Sequence, residues 1–269
     1  MILALEMELM FIMGKIIIIA SGKGGVGKTT VTAQLGIALS ARGKRVLVSD
    51  IDFGLRNLDI ALGAESSVVY DVLDCVDGRC TLDEAVIKIN DNLLLLPASQ
   101  SRRLKYVDMN KVSGFISSVS EKFDYILLDA PAGVGEALEK CAVCADEAFI
   151  IVRPYLSSVR DADRCIDVLE ENGVEKASLI INDADGALIK SGVMMTPDSI
   201  ADLLGIQVLG IVPHDESVLT GAGLSEGSIA AKAFSNISGR MLGEKIPVVS
   251  LDEKKGGFGS RIKKLLKFK

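Results

Sequence analysis

The sequence predicts an α/β fold: a doubly wound, mostly parallel sheet with helices on both faces. Three observations predict it. Short apolar runs of strand length recur along the chain, segments with helical spacing of apolar residues alternate with them, and the first run ends in a glycine-rich turn. Strands alternating with helices imply βαβ units and hence parallel pairing. Composition agrees. With 49% hydrophobic and 25% charged residues among 269, the chain can bury a sizeable core and is too apolar for disorder. Trp is absent and aromatics reach only 4%, so Ile, Leu, Val and Ala must fill the core, as in strands covered on both faces. The length suits one large domain.

Lys15–Ala20 (KIIIIA) reads as a fully buried strand because its apolar run is continuous. Residues 28–42 follow with helical spacing, closed by Gly43 as a helix stop. A second buried strand spans 45–49 and delivers Asp50 at its end. Apolar runs at 93–96, 125–128, 148–152, 178–181 and 208–212 are further strands, with helical patterns clearest at 107–121, 159–172 and 197–204. A last helix near 229–243 closes the domain. The expected organisation is an N-terminal extension at 1–14, one domain at 15–245, a tether at 246–257 and a separate short element at 258–269. The extension is apolar but carries Glu6 and Glu8 and no early basic residue. It matches neither a secretory signal nor a membrane span of ~20 apolar residues. A native start near Met13 is one reading.

The first strand runs into Gly22-Lys23-Gly24-Gly25-Val26-Gly27-Lys28-Thr29, a full G-x-x-x-x-G-K-T match in the strand–loop–helix setting it requires. Glycines let backbone N–H groups turn inward around phosphate oxygens, and the helix N-terminus adds a favourable dipole. Lys28 neutralises β/γ-phosphate charge, Thr29 offers a hydroxyl to Mg²⁺, and Thr30 completes the phosphate loop. Asp50 and Asp52 stand at the carboxyl end of the second strand, the edge where doubly wound sheets bind ligands. Asp50 is expected to bond a Mg²⁺-bound water or the phosphate loop. Asp52 is placed to orient an attacking water, which suffices because phosphoryl transfer needs positioning and charge neutralisation. Tyr125–Asp129 (YILLD) is an apolar run ending in a carboxylate, so Asp129 is expected to help hold the metal shell. Ala130-Pro131-Ala132-Gly133 after it suits a loop that senses the γ-phosphate.

The loop pattern K-G-G-x-G-K-T resembles the deviant Walker A group of P-loop NTPases (SIMIBI type, MinD/ParA). The resemblance runs from Lys15 to Lys269 and is sharpest for the MinD family of bacterial cell-division ATPases. SGKGGVGKTT from Ser21, the D-x-D-x-GLRNLD run from Asp50, YDVLD from Tyr70, DAPAGV from Asp129 and SSVRDADR from Ser157 carry it, with the basic tail. The resemblance implies a slow, activator-stimulated ATPase that uses ATP and Mg²⁺ and forms a homodimer in the ATP state. Lys23 would reach across that dimer to the partner's phosphates. Arg56 and Asn57 would lie in a switch segment, and Asn182 would contact adenine. The implied role is a membrane switch that positions the division site by recruiting a MinC-like inhibitor. A MinE-like or other activator would release it. Two positions depart from the family pattern. Asp183 stands where an Arg commonly follows the Asn, and Arg153-Pro154-Tyr155-Leu156 replaces acidic or Asn-Pro-Glu residues before SSVRD.

In the tail, Phe258, Ile262, Leu265 and Leu266 fall at i, i+4, i+7 and i+8 on one helical face. Arg261, Lys263, Lys264, Lys267 and Lys269 occupy much of the remainder. Twelve residues are too few for a stable isolated helix in water. On anionic lipid the apolar face can bury, and each cation adds ~1 kcal/mol. Two such helices on a dimer bind with avidity. The expected location is therefore the cytoplasm, peripheral on the inner face of the cell membrane.

The net charge is −6, yet seven of the 30 basic residues lie from Lys254 onward and all 36 acidic residues lie before it. So acidic a body argues against a nucleic-acid partner, and with it against a ParA-type segregation ATPase. A regulator of flagellar number or placement would share site and tail and stays open. An iron–sulfur carrier is a third alternative, invited by Cys141-x-x-Cys144, although small cysteines in a helical stretch pack well as core. Five cysteines, an odd number without a disulfide framework, fit a reduced compartment. His214 reads as a surface residue without a role.

Overall fold

The computed structural model describes residues 13–216 and 227–248. Its elements in chain order are β1 (Lys15–Ala20), α1 (Lys28–Ser40), β2 (Val46–Asp50), α2 (Leu58–Ala61), α3 (Val72–Val76), α4 (Leu82–Ala85), β3 (Ile87–Asn90) and β4 (Leu93–Leu96). There follow α5 (Met109–Val119), β5 (Tyr125–Asp129), α6 (Glu136–Ala142), β6 (Glu147–Val152), α7 (Leu156–Glu171), β7 (Lys176–Ala184), α8 (Gly186–Lys190), α9 (Pro197–Leu204), β8 (Val208–Pro213) and α10 (Ile229–Met241).

The eight strands form one sheet in the order β3-β4-β2-β5-β1-β6-β7-β8. Every pair is parallel except β3 with β4. The expected class is therefore the observed one. Successive residues of β1 enter opposite cores. Ile16, Ile18 and Ala20 pack on one side of the sheet, Ile17 and Ile19 on the other. With both faces covered, alternation disappears, and the strand reads as a solid apolar run. Each fully buried Ile or Leu contributes roughly 1.5–3 kcal/mol. The antiparallel β3 differs. It is an edge strand with half-buried Ile87 and Ile89 alternating with exposed Lys88 and Asn90. An IKIN pattern of four residues is too short to stand out, and the sequence reading omits it.

Two corrections are local. The short helices α2, α3, α4, α6 and α8, four to seven residues each, lack the length that makes helical periodicity legible. Strand β7 extends to Ala184, so Asn182 and Asp183 lie within it rather than after it. The N-terminal extension up to residue 12 and most of the tether fall outside the described residues. So do the whole 258–269 element and its expected lipid-facing residues Phe258, Ile262, Lys263, Lys264, Leu265, Leu266 and Lys267.

Candidate phosphate and metal site

β1 lies at the centre of the sheet, flanked by β5 and β6, so its carboxyl end is the point where the chain winds outward in both directions. The loop 21–27 leaves there and enters α1. Its glycines are required for different reasons. Gly25 (φ +77°) and Gly27 (φ +96°) adopt left-handed backbone that a Cβ disfavours. Gly22 needs space instead: a Cβ there would lie 1.9 Å from the carbonyl oxygen of Asp161 in α7. The segment 157–164 singled out in the sequence thus packs directly beneath the phosphate loop. Gly24 and Gly25 are exposed, leaving the mouth of the loop open.

Asn182 of β7 reaches the loop from the other side. Its Nδ2 donates to the Val26 carbonyl at 2.8 Å, and a Cβ on Gly27 would stand 2.3 Å from that nitrogen. The loop after β5 completes the surround. Ala130 N–H donates to Ile19 O at 3.2 Å, Gly133 N–H to Ser21 O at 3.1 Å, and Ala132 lies near Gly24.

The two lysines of the loop differ. Lys28 is buried, and its ammonium is pushed below its ordinary range by that burial, against the opposing pull of Asp129 and Asp52. Lys23 is exposed; its carbonyl accepts from the Ser21 hydroxyl at 2.8 Å. Thr30 sits half-buried one residue beyond Thr29.

Three carboxylates line the floor. Asp129 accepts from Thr29 Oγ1 at 2.6 Å and from Thr32 Oγ1 at 3.3 Å. Burial, then the nearby Asp50, push its carboxyl up to about 7. Thr32 was not anticipated; one turn beyond Lys28 on α1, it faces the same carboxylate. Asp50 accepts three backbone N–H donors: Asp52 at 2.8 Å, Asn57 at 2.9 Å and Leu58 at 3.2 Å. Burial raises it to about 6 despite those bonds. Its structural task is to pin the loop 52–58. The same loop is held by Arg56, whose Nε lies 2.8 Å from buried Asp59, with Arg56 at φ +50°. Asn57 itself is exposed, and only its backbone is tied to the site. Asp52 is half-buried; burial raises its pKa and Lys28 opposes the rise, so the two side chains face one another electrostatically.

A hydroxyl and two buried carboxylates beside a glycine cradle make an oxygen-only donor set, which suits Mg²⁺ and not a soft metal. Among the described residues no cluster of three His, Cys, Asp or Glu side chains could hold a metal alone. Cys141 and Cys144 are both buried, and Cys144 Sγ lies 3.7 Å from the Met109 carbonyl. Burial holds the Cys141 thiol well above its ordinary range and Cys144 at about 12, so both pack as neutral core.

The two departures from the family pattern meet. Asp183, in left-handed backbone at φ +59°, accepts from an Arg153 Nη at the end of β6 and lies 2.5 Å from His214 Nδ1 at the end of β8. His214 is exposed as expected, but it is not without a partner.

Residues 17–224 match the CobQ/CobB/MinD/ParA nucleotide-binding domain. The septum site-determining protein MinD of Bacillus subtilis is 40% identical over 93% of this chain and 97% of its own. The chain superposes on the MinC:MinD cell division protein complex of Aquifex aeolicus with a TM-score of 0.81 at 37% identity. That match covers 88% of this chain and 99% of that one. The septum site-determining MinD of Pyrococcus horikoshii, solved with Mg-ADP, gives 0.73 at 29% identity, covering 87% and 100%.

Proposed function

The chain belongs to the CobQ/CobB/MinD/ParA nucleotide-binding family, on its MinD branch, and from that premise we propose an ATP-driven membrane switch that positions the division site. It is an ATPase using ATP and Mg²⁺. The observation that carries the switch reading is the contrast between buried Lys28 and exposed Lys23 in one loop. Lys28 is committed to its own phosphates. Lys23, free to reach outward, supports a homodimer in which each copy's lysine serves the other's nucleotide.

The residues take these roles. Gly22, Gly24, Gly25, Val26, Gly27 and Thr30 present backbone groups to the phosphates, and Asn182 braces the loop and borders the base. Mg²⁺, when bound with the nucleotide, neutralises the charge that develops during transfer. Thr29 would hold it, with Asp129 and Asp50 in the surrounding shell. Asp52, on a loop fixed by Asp50, orients the attacking water. Asn57 stands at the exposed end of that loop, where a bound nucleotide or second copy would meet it. The nearest strong base is absent from this set, which supports slow turnover until an activator intervenes.

The similar Aquifex protein is found with MinC, which supports a MinC-like inhibitor as partner; a MinE-like or other activator completes the proposed cycle. No helix among the described residues is long and apolar enough to cross a membrane. We place attachment in the 258–269 tail, peripheral on the inner membrane face, because an apolar stripe set among basic residues suits anionic lipid, and two such tails on a dimer bind with avidity.

Sedimentation with anionic liposomes tests this, comparing ATP with ADP, each with Mg²⁺, for the intact chain and one ending at Gly257. Pelleting that requires both ATP and the tail is the expected result. Pelleting indifferent to nucleotide would overturn the switch, and pelleting of the truncated chain would overturn the tail.

A further inference from the structure

Outside the nucleotide site, Cys75 at the end of α3 and Cys80 in the turn before α4 bring their sulfurs to 3.5 Å. The turn between them is tight. Gly78, at φ +71°, donates to the Cys75 carbonyl at 3.0 Å, and Arg79 N–H donates to Asp74 O at 2.8 Å. Cys75 is buried, and its sulfur also lies 3.6 Å from the Thr81 carbonyl, which fits a Cys75 S–H donating there. Cys80 is then the donor of the pair. It is half-buried, where the other four cysteines are buried. The other three cysteines, Cys141, Cys144 and Cys165, are buried in the core.

We propose that Cys75 and Cys80 form a dithiol modification site, closed reversibly into an intramolecular disulfide by small-molecule disulfides such as glutathione disulfide. The sulfurs need to approach from 3.5 Å to about 2.05 Å, a movement the four residues between them can absorb. The steps balance. Cys80, as thiolate, attacks one sulfur of glutathione disulfide, forming a mixed disulfide and releasing one glutathione thiolate, which takes a proton. Cys75 then gives up its proton and attacks the Cys80 sulfur, expelling the second glutathione. Two protein thiols are oxidised, and one glutathione disulfide becomes two thiols. Burial pushes the Cys75 thiol up to about 12, so it is the resolving sulfur and not the attacking one. Its fixed position beside Cys80 supplies the effective concentration that compensates for its low thiolate fraction. The site adjoins the nucleotide machinery without sharing residues with it. Asp77 in the turn pairs with Arg102 at 2.7 Å, and Ser99 of that segment accepts from Gly54 N–H at 2.9 Å.

The test uses the full chain, folded and reduced, incubated with glutathione disulfide, alkylated, and mapped without reduction. Arg79 lies between the two cysteines, so trypsin leaves two peptides joined only by the disulfide. The expected result is joint loss of two of the five thiols, loss of two hydrogens with no retained glutathione, and reversal by dithiothreitol. Cys80→Ser, at a half-exposed position, should keep all its remaining thiols. Cys75→Ala should instead accumulate glutathione on Cys80. The proposal is overturned by a stable glutathione adduct on Cys80 in the unmutated chain, by a cross-link involving any of the other three cysteines, or by five unreacted thiols.

Discussion

Asp50 and Asp129 are direct register partners at the carboxyl ends of the adjacent parallel strands β2 and β5. Both are buried, and the sheet places two carboxylates side by side; three backbone N–H donors on Asp50, and the Thr29 and Thr32 hydroxyls with Lys28 at Asp129, offset their burial only in part. Their folded pKa values, about 6 and about 7, exceed the ordinary ~4 of an unfolded Asp. Between those values the native state holds protons the unfolded chain has released. These two groups therefore favour the fold at low pH and penalise it as pH rises through 6 to 7. Without nucleotide or Mg²⁺, the Tm of Asp129→Asn relative to the unmutated chain should climb between about pH 4 and about pH 7 and level off above. A difference that stays flat or falls would show that Asp129 is not held above its ordinary range.

The lysine contrast predicts separable losses. Removing the buried cation with Lys28→Ala should weaken nucleotide binding by the monomer ~10- to 100-fold, the scale of a charge-assisted hydrogen bond. Lys23→Ala should leave monomer affinity within about twofold but abolish ATP-dependent dimerisation and stimulated turnover. Fluorescent-nucleotide titration and analytical ultracentrifugation read the two effects. A Lys23→Ala chain that still dimerises with ATP would remove the lysine from the interface.

Asp52 predicts a trap. Its loop is pinned through Asp50, so Asp52→Ala should leave fold and ATP affinity intact while hydrolysis drops at least ~10²-fold, as loss of a positioning group does. The protein should then accumulate on anionic vesicles in ATP. Normal hydrolysis would exclude Asp52 from the mechanism.

The Arg153–Asp183 pair calls for a double-mutant cycle and not a charge swap. Asp183 sits at φ +59°, where Asn is tolerated and Arg would cost ~1–2 kcal/mol for backbone reasons alone. With side chains 39% and 22% exposed, the pair is partly screened, so Arg153→Met with Asp183→Asn should report a coupling of about 0.5–1 kcal/mol. Chemical denaturation of the four proteins gives it. A coupling indistinguishable from zero would mean the contact contributes nothing to stability.

Much of this was legible in the sequence because both signals are periodic or punctuated. Fully buried strands such as Ile16–Ile19 leave continuous apolar runs, and a glycine loop between strand and helix is a fixed string. The rest depends on tertiary contact. Nothing near Asp50 shows that its carboxylate is spent on three backbone donors of the following loop. Thr32 is only another helical threonine until Asp129 arrives from 97 residues away. Arg153, Asp183 and His214 are far apart in sequence and converge only because β6, β7 and β8 are neighbours. Cys75 and Cys80 are only five positions apart, yet their sulfurs meet because the chain turns at Gly78, which spacing alone does not show.

Three glycines of the phosphate loop predict three different failures. A Cβ on Gly25 meets nothing within 4 Å, so Gly25→Ala bears only the left-handed backbone strain, ~1–2 kcal/mol. Gly27→Ala adds a collision with Asn182 Nδ2, a side-chain atom that can swing away at the expense of its bond to Val26 O. Removing that side chain with Asn182→Ala should therefore recover part of the Gly27→Ala loss. Gly22→Ala meets the Asp161 carbonyl, backbone inside α7, which no rotamer change relieves. Its Tm should fall furthest, and Asn182→Ala should not rescue it. Thermal melts of the singles and the two doubles decide the matter. Rescue of Gly22→Ala by Asn182→Ala, or a Gly25→Ala chain as unstable as Gly22→Ala, would mean that the loop is limited by something other than α7 on one side and β7 on the other.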